Sequence, residues 1–239
     1  MLHRISSFNA VRRAKVATRM AALVAGQHVR RGVHRLGLHR PNSLPEDAFD
    51  PPDSVLCQRA TRLVDEVSPA FLFNHCVRTW AFGVAVGIHL GYKFDRELLY
   101  LAAIMHDLGL TDRYSGADWF ERRGARAARA FCLDQGMSER RAALVHDAIL
   151  LHDQFQAAQR EAEVALVHFG AGVDVIGFRA EDVAVATRNA VVERWPRLGF
   201  KREMLPLVVR EAERNPACPI ADHLALGLAS RVRAAPFAE

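Results

Sequence analysis

The chain has little cysteine. Four occur in 239 residues, Cys57, Cys76, Cys132 and Cys218, and no two are spaced as a CxxC pair. That argues against a disulfide framework and against a thiolate zinc site, and it suits a reducing, cytoplasmic setting. No run of 18 or more apolar residues occurs, so no spanning helix is expected. Residues 1–25 lack the clean apolar stretch of a secretory signal. No convincing alternating strand pattern, internal repeat or low-complexity tract is present. Lysine is scarce, three against 29 arginines, which with the abundance of Ala and Val points to a GC-rich genome and carries no mechanism.

Acidic residues are missing from one region only. Residues 1–45 hold nine Lys or Arg and four His, and no Asp or Glu. Removing those nine from the 32 basic side chains leaves 23 against 27 acidic ones in residues 46–239. The body is therefore mildly acidic although the chain carries +5, and the overall charge does not make the body a nucleic-acid binder. Residues 11–25 read as a basic amphipathic helix. It is expected to be a solvated arm, a weak contact for anionic surfaces or, in a eukaryotic source, an organellar transit peptide.

Half the residues are apolar, enough to bury a sizeable core. Pro41, Pro45, Pro51 and Pro52 mark a linker, which divides the chain into a basic arm and Pro-rich linker, 1–52, and a helical domain, 53–239. In the domain, apolar residues recur at helical spacing. Asp95 opens one helix and Gly109 closes it, as a residue that tolerates a left-handed end. Asp118 and Glu121 have capping-box spacing. Further helices are expected over 140–152, 161–175, 181–195, 201–214 and 221–233. The fold class is all-α, one bundle of about eight helices.

Polar residues inside these apolar helices stand out: His75 in FLFNHCVRTWAFG, the doublet His106-Asp107 in LLYLAAIMHDLGL, and Asp174 in VALVHFGAGVDVIG. An ionised carboxylate in an apolar helix is costly unless it is paired or bound to a cation. Two carboxylates and two imidazoles on three helices suggest a metal site. Zn²⁺, Fe²⁺ or Mn²⁺ suits such donors. Adjacent helical residues project about 100° apart, so both members of the doublet reach one ion only near a helix end.

The pattern resembles the HD-domain metal-dependent hydrolase superfamily, whose signature is His, His-Asp and a distant Asp. The closer resemblance is to the cyanamide-hydratase-like branch, through NHCVRTWAFG at 74–83, LLYLAAIMHDLGLTDRYSG at 98–116, FERRGARAARAF at 120–131, DAILLHD at 147–153 and ALVHFGAGVDVIG at 165–177. It implies an all-α fold, one divalent metal on His75, His106, Asp107 and Asp174, zinc first, and a hydrolase or hydro-lyase. The chain departs from the branch at Cys76, Arg122, Arg123, His146 and Asp153, where Ser, non-basic residues, an aromatic and Thr are expected. Those departures bear on the pocket's charge.

His152 is the candidate for moving a proton, with Asp107 serving both metal and catalysis. Arg78 and Thr79, on the His75 face, and Asp112 and Arg113, in the loop after the doublet, are the substrate-binding candidates. His146 and His168 are expected to be structural, His89 and His223 to be surface residues, and Glu121 to be a cap. Three functions follow in order: hydration of a small C≡N substrate, hydrolysis of a nucleotide or related phosphate ester, and a non-catalytic helical binding module. The expected partner is a small molecule, and a homo-oligomer is left open.

Overall fold

The computed structural model describes residues 2–38 and 40–239, with the backbone alone described at 2–13, Lys15, Met20 and Leu23. Among the described residues there is no strand. Eleven α-helices follow in order: α1 Leu2–Arg35, α2 Val55–Val67, α3 Ala70–Leu90, α4 Arg96–Met105, α5 Phe120–Asp134, α6 Glu139–Leu151, α7 Ala162–Ile176, α8 Val185–Arg194, α9 Phe200–Arg214, α10 Pro219–Ala225 and α11 Leu228–Arg233. The all-α reading holds, with more helices than the eight expected. The segment 221–233 divides at Gly227, whose φ is 87°. The segment 181–195 opens as a single turn, Ala180–Asp182, before α8 begins.

Local chemistry sets the helix starts. The Ser54 hydroxyl accepts from the Cys57 amide at the head of α2, and the Asp95 carboxylate accepts from Leu98 at the head of α4, each supplying an acceptor to an otherwise orphaned amide. The expected capping box does not form. Asp118 accepts from the adjacent Trp119 amide, and Glu121 turns inward. Gly109 is also not left-handed. A Cβ there would meet the Phe120 carbonyl oxygen at 2.0 Å, so glycine is needed for close approach.

Helix α3 is the axle of the bundle. Trp80, Ala81, Phe82, Val84 and Val86 have no exposed surface, the mark of a helix packed on all sides. It is long and apolar enough to cross a membrane by length and composition alone, yet 78% of that stretch is buried inside the fold. Helix α7 crosses it at backbone contact. A Cβ on Gly170 would stand 2.1 Å from the Thr79 carbonyl oxygen, and one on Gly83 would stand 2.9 Å from that of Leu166. This crossing sets His75 against Asp174.

Two apolar cores result. The larger joins α2 to α7 around Trp80, Leu101 and Val167. The smaller joins α9, α10 and α11 to Leu72, Leu110 and Phe120. A cavity lies at their seam, with walls from both. The arm does not hang free of the body along its length. Gln27 donates to the Gly177 carbonyl, Arg30 pairs with Glu181, and His34 meets Asp182.

Candidate metal centre

The doublet sits where the sequence places it, at a helix end. Helix α4 stops at Met105, His106 keeps helical angles, and Asp107 adopts φ −102° and ψ 13° before the turn Leu108–Leu110. That change of direction lets both side chains face His75 of α3. Nε2 of His106 lies 3.2 Å from Nε2 of His75. Oδ2 of Asp107 lies 3.2 Å from the former and 3.5 Å from the latter. All three residues are at least 98% buried.

This triangle fits a cation. Donors about 2.0–2.1 Å from a tetrahedral zinc stand about 3.3 Å apart, close to all three edges. The remaining hydrogen bonds leave the right atoms free. His75 Nδ1 donates to Asp174 Oδ2 at 2.7 Å, and His106 Nδ1 donates to the Ala103 carbonyl at 2.7 Å. With Nδ1–H so engaged, each ring turns its Nε2 inward, the tautomer a metal ligand needs. Asp107 Oδ2 is buried and accepts no hydrogen bond, a costly state for a carboxylate that a cation relieves. Burial tends to raise the Asp107 carboxyl, yet the His106, His75 and His152 rings hold it well below the usual carboxylate range. Burial disfavours a charged His106, but the Asp107 carboxylate beside it lifts that ring above its ordinary value.

Asp174 lies outside this group, contrary to its expected role as a fourth ligand. Its oxygens are already shared among Arg78, whose Nε and Nη2 fork it at 2.9 Å each, Arg197, and His75. Burial works against its charge, but Arg78, the His75 hydrogen bond and Arg197 hold its carboxyl far below the usual range. Its geometry is that of a second layer: it orients His75.

His152 ends α6. Its Nδ1 donates to the Ile149 carbonyl at 2.7 Å, and its Nε2 faces Asp107 Oδ1 at 3.8 Å. Burial, then the nearby His106, lowers its pKa, so the ring is held neutral with a free Nε2. His168 donates from Nδ1 to the His152 carbonyl, and burial pushes it down to about 4. His146 faces its neighbour Asp147 away from the site.

The four substrate-binding candidates do not line the cavity. Arg78 spends its third nitrogen on the Trp195 and Pro196 carbonyls. Thr79 is buried at the α3–α7 crossing. Asp112 and Arg113 are exposed in a single turn that leads outward. The basic departures also stay out. Arg122 lies over the Trp119 ring at the surface, and Arg123 is bound to the carbonyls of Gly109, Tyr114, Gly116 and Asp118 and to Glu211.

The cavity holds about 120 Å³. His75, His106, Asp107 and His152 form its floor, and its walls are chiefly apolar, with Phe120, Val175, Phe178, Met204, Leu228 and Val232 among them. Three features were not foreseen. Arg197 is a second buried cation on Asp174. His223, expected at the surface, lines the cavity and meets the Asp153 carbonyl. Glu121, expected as a cap, is fully buried against Asp153. Arginine is unremarkable in this sequence, and nothing flagged Arg197. Glu121 was visible only as an acid near apolar residues.

Residues 72–137 match the HD-domain family, a span that holds His75, His106 and Asp107 and ends before His152 and Asp174. The cyanamide hydratases DDI2 and DDI3 of Saccharomyces cerevisiae are each 24% identical to this chain over 178 residues, covering 72% of it and 79% of each relative. The match to the HD-domain family over residues 72–137 and the likeness to the two yeast enzymes over most of the chain together indicate a metal-dependent enzyme of the hydrolase or hydro-lyase class.

Proposed function

We propose that the chain adds water to the carbon of a small, largely apolar C≡N compound, giving an amide or a urea. The observation that carries this reading is the cavity: about 120 Å³, chiefly apolar, with one face made by the triad and His152. An apolar cavity of about 150 Å³ holds a benzene ring, so the space suits a compact molecule. The names of the two yeast relatives favour the same chemistry.

His75, His106 and Asp107 would hold the metal, Zn²⁺ first because the donor spacing is near tetrahedral, with Fe²⁺ or Mn²⁺ as alternatives. A bound divalent cation supplies Lewis acidity that polarises the substrate and acidifies water. Asp174 keeps Nε2 of His75 turned inward. His152, neutral and with Nε2 on the cavity floor, takes the proton from the attacking water. The apolar walls exclude bulk water and favour a neutral substrate.

A phosphate ester is the second reading. It is favoured by Arg231, which lines the cavity and whose Nε and Nη2 have no hydrogen-bond partner. Arg78 and Arg123 are engaged elsewhere, and Arg113 and Arg122 are exposed. Turnover of cyanamide, short aliphatic nitriles and phosphate monoesters by zinc-loaded protein separates the readings. Nitrile hydration alone supports the first. Ester cleavage without hydration replaces it with the second.

A further inference from the structure

The basic arm carries four histidines, His3, His28, His34 and His39, and none of them lines the cavity of the triad. One of them reaches the domain. Gln27, Arg30 and His34 are spaced three and four residues apart on α1, so they share one face, and that face meets Gly177, Glu181 and Asp182 beyond α7. His34 lies in the last turn of α1, and His89 lies in the last turn of α3. Their ring centroids are 6.2 Å apart. Nε2 of His34 lies 3.3 Å from Oδ1 of Asp182, which ends the single turn Ala180–Asp182. One donor atom from each of the three residues lies within 4.8 Å of the other two. Both rings are half-buried, and Asp182 is buried. His89 and Asp182 also border a separate cavity of about 130 Å³, closed on one side by the linker at Pro41, Asn42 and Leu44.

We propose that His34, His89 and Asp182 bind a second divalent cation, of the zinc class, and that this ion clasps the arm to the domain. Imidazole suits zinc, copper, nickel and iron, whereas Mg²⁺ and Ca²⁺ take oxygen donors, so a set with two imidazoles selects the former group. Donors about 2.1 Å from one ion stand about 3–4 Å apart. The His34–Asp182 edge already has that length, and a small turn of the His89 ring closes the other two. Water from the adjoining cavity completes the shell. Charges of both signs surround the three donors. Arg179 pairs with Asp182 Oδ2, while Oδ1 faces His34. Arg30 and Arg31 pair with Glu181, and Arg40 lines the cavity. Against these guanidinium groups stand the negative ends of the α1 and α3 dipoles, where both histidines sit. The arginines make this site weaker than the buried triad, so purified protein keeps one ion and the second binds in titration. None of the three residues lines the cavity of the triad, and the clasp is independent of which substrate that cavity takes.

Calorimetric titration with zinc, starting from protein that already holds its tight ion, reads the second site. Trypsin trimming of the Arg-rich arm reads the clasp. The parent is expected to take up one further equivalent. His34→Ala and His89→Ala are each expected to lose it while keeping the tight ion and the parental helix content. At free zinc about ten times the Kd of the second site, trimming should slow about tenfold in the parent and in neither variant, because the ion binds only the docked arm. In His106→Ala the tight ion is lost and the weaker equivalent persists, so the two sites are read separately. A parent that takes up no further zinc, or a further equivalent that survives in His34→Ala or in His89→Ala, overturns the site and leaves His34 and Asp182 as a plain hydrogen-bonded pair. A second equivalent that leaves trimming unchanged overturns the clasp.

Discussion

His75 and Asp174 are 99 residues apart in sequence, and Nδ1 of the one donates to Oδ2 of the other across 2.7 Å. The bond exists because α3 and α7 cross at glycine, and it turns the His75 ring so that Nε2 faces His106. Arg78 and Arg197 close around the same carboxylate, making a buried network that braces the metal centre from behind.

Asp174→Asn tests whether this carboxylate is a brace or a ligand. The substitution keeps the shape but leaves two buried guanidinium groups without their counter-charge. We expect a loss of about 3–5 kcal/mol in chemical unfolding and a metal affinity about 10–100-fold weaker, as when an outer hydrogen-bond partner is lost. Zinc should still bind at saturation. Complete loss of binding in a folded variant would show that Asp174 touches the ion.

Gly170→Ala tests the helix crossing. The added methyl would overlap the Thr79 carbonyl oxygen, and helices packed backbone to backbone can only move apart. Overpacking of this kind costs about 1–3 kcal/mol or more. Urea unfolding should show that loss, with weakened zinc binding as His75 and Asp174 separate. Parental stability would contradict the close crossing.

His168 gives the stability a defined pH dependence. Burial first, against the hydrogen bond to His152, leaves its folded pKa at about 4, while the unfolded value is about 6.5. The unfolded chain therefore binds a proton that the folded chain refuses. This contribution leaves stability untouched above about pH 6.5 and lowers it progressively as pH falls toward 4, by at most about 3 kcal/mol. Unfolding free energies of the parent and of His168→Asn, measured across that window, should converge at the acid end. Parallel curves would contradict a neutral buried ring.

The fold class, the helix-end placement of His106-Asp107 and the grouping of His75 with that doublet were legible in the sequence. Periodicity marks helices, and a charged pair inside an apolar run has few affordable explanations. What failed depends on how helices meet. The roles given to Arg78 and Thr79 came from the helical face they share with His75. At the crossing with α7, that face is turned to Asp174 and the Gly170 backbone. Sequence spacing says which residues neighbour each other on one helix, not which neighbour arrives from another. Glu121 has the spacing of a cap, and only the packing of α5 against the end of α6 shows that it is buried.

Arg113→Ala is a control on the exposed turn. Because Arg113 points to solvent and lies over Tyr114, nitrile or ester turnover should match the parent in both kcat and KM. A raised KM would mean that this loop reaches the substrate, and the boundary drawn for the cavity would have to move.

The most direct test is the zinc content of purified protein, measured beside its activity on small nitriles, for the parent, His106→Ala and Asp107→Ala. The parent should hold about one tightly bound ion per chain, as three clustered protein donors would, and should lose turnover on chelation and regain it with zinc. Each variant should remain helical by circular dichroism while losing both the ion and the activity. Undiminished turnover in metal-free parent or in either variant would contradict a catalytic ion held by His75, His106 and Asp107.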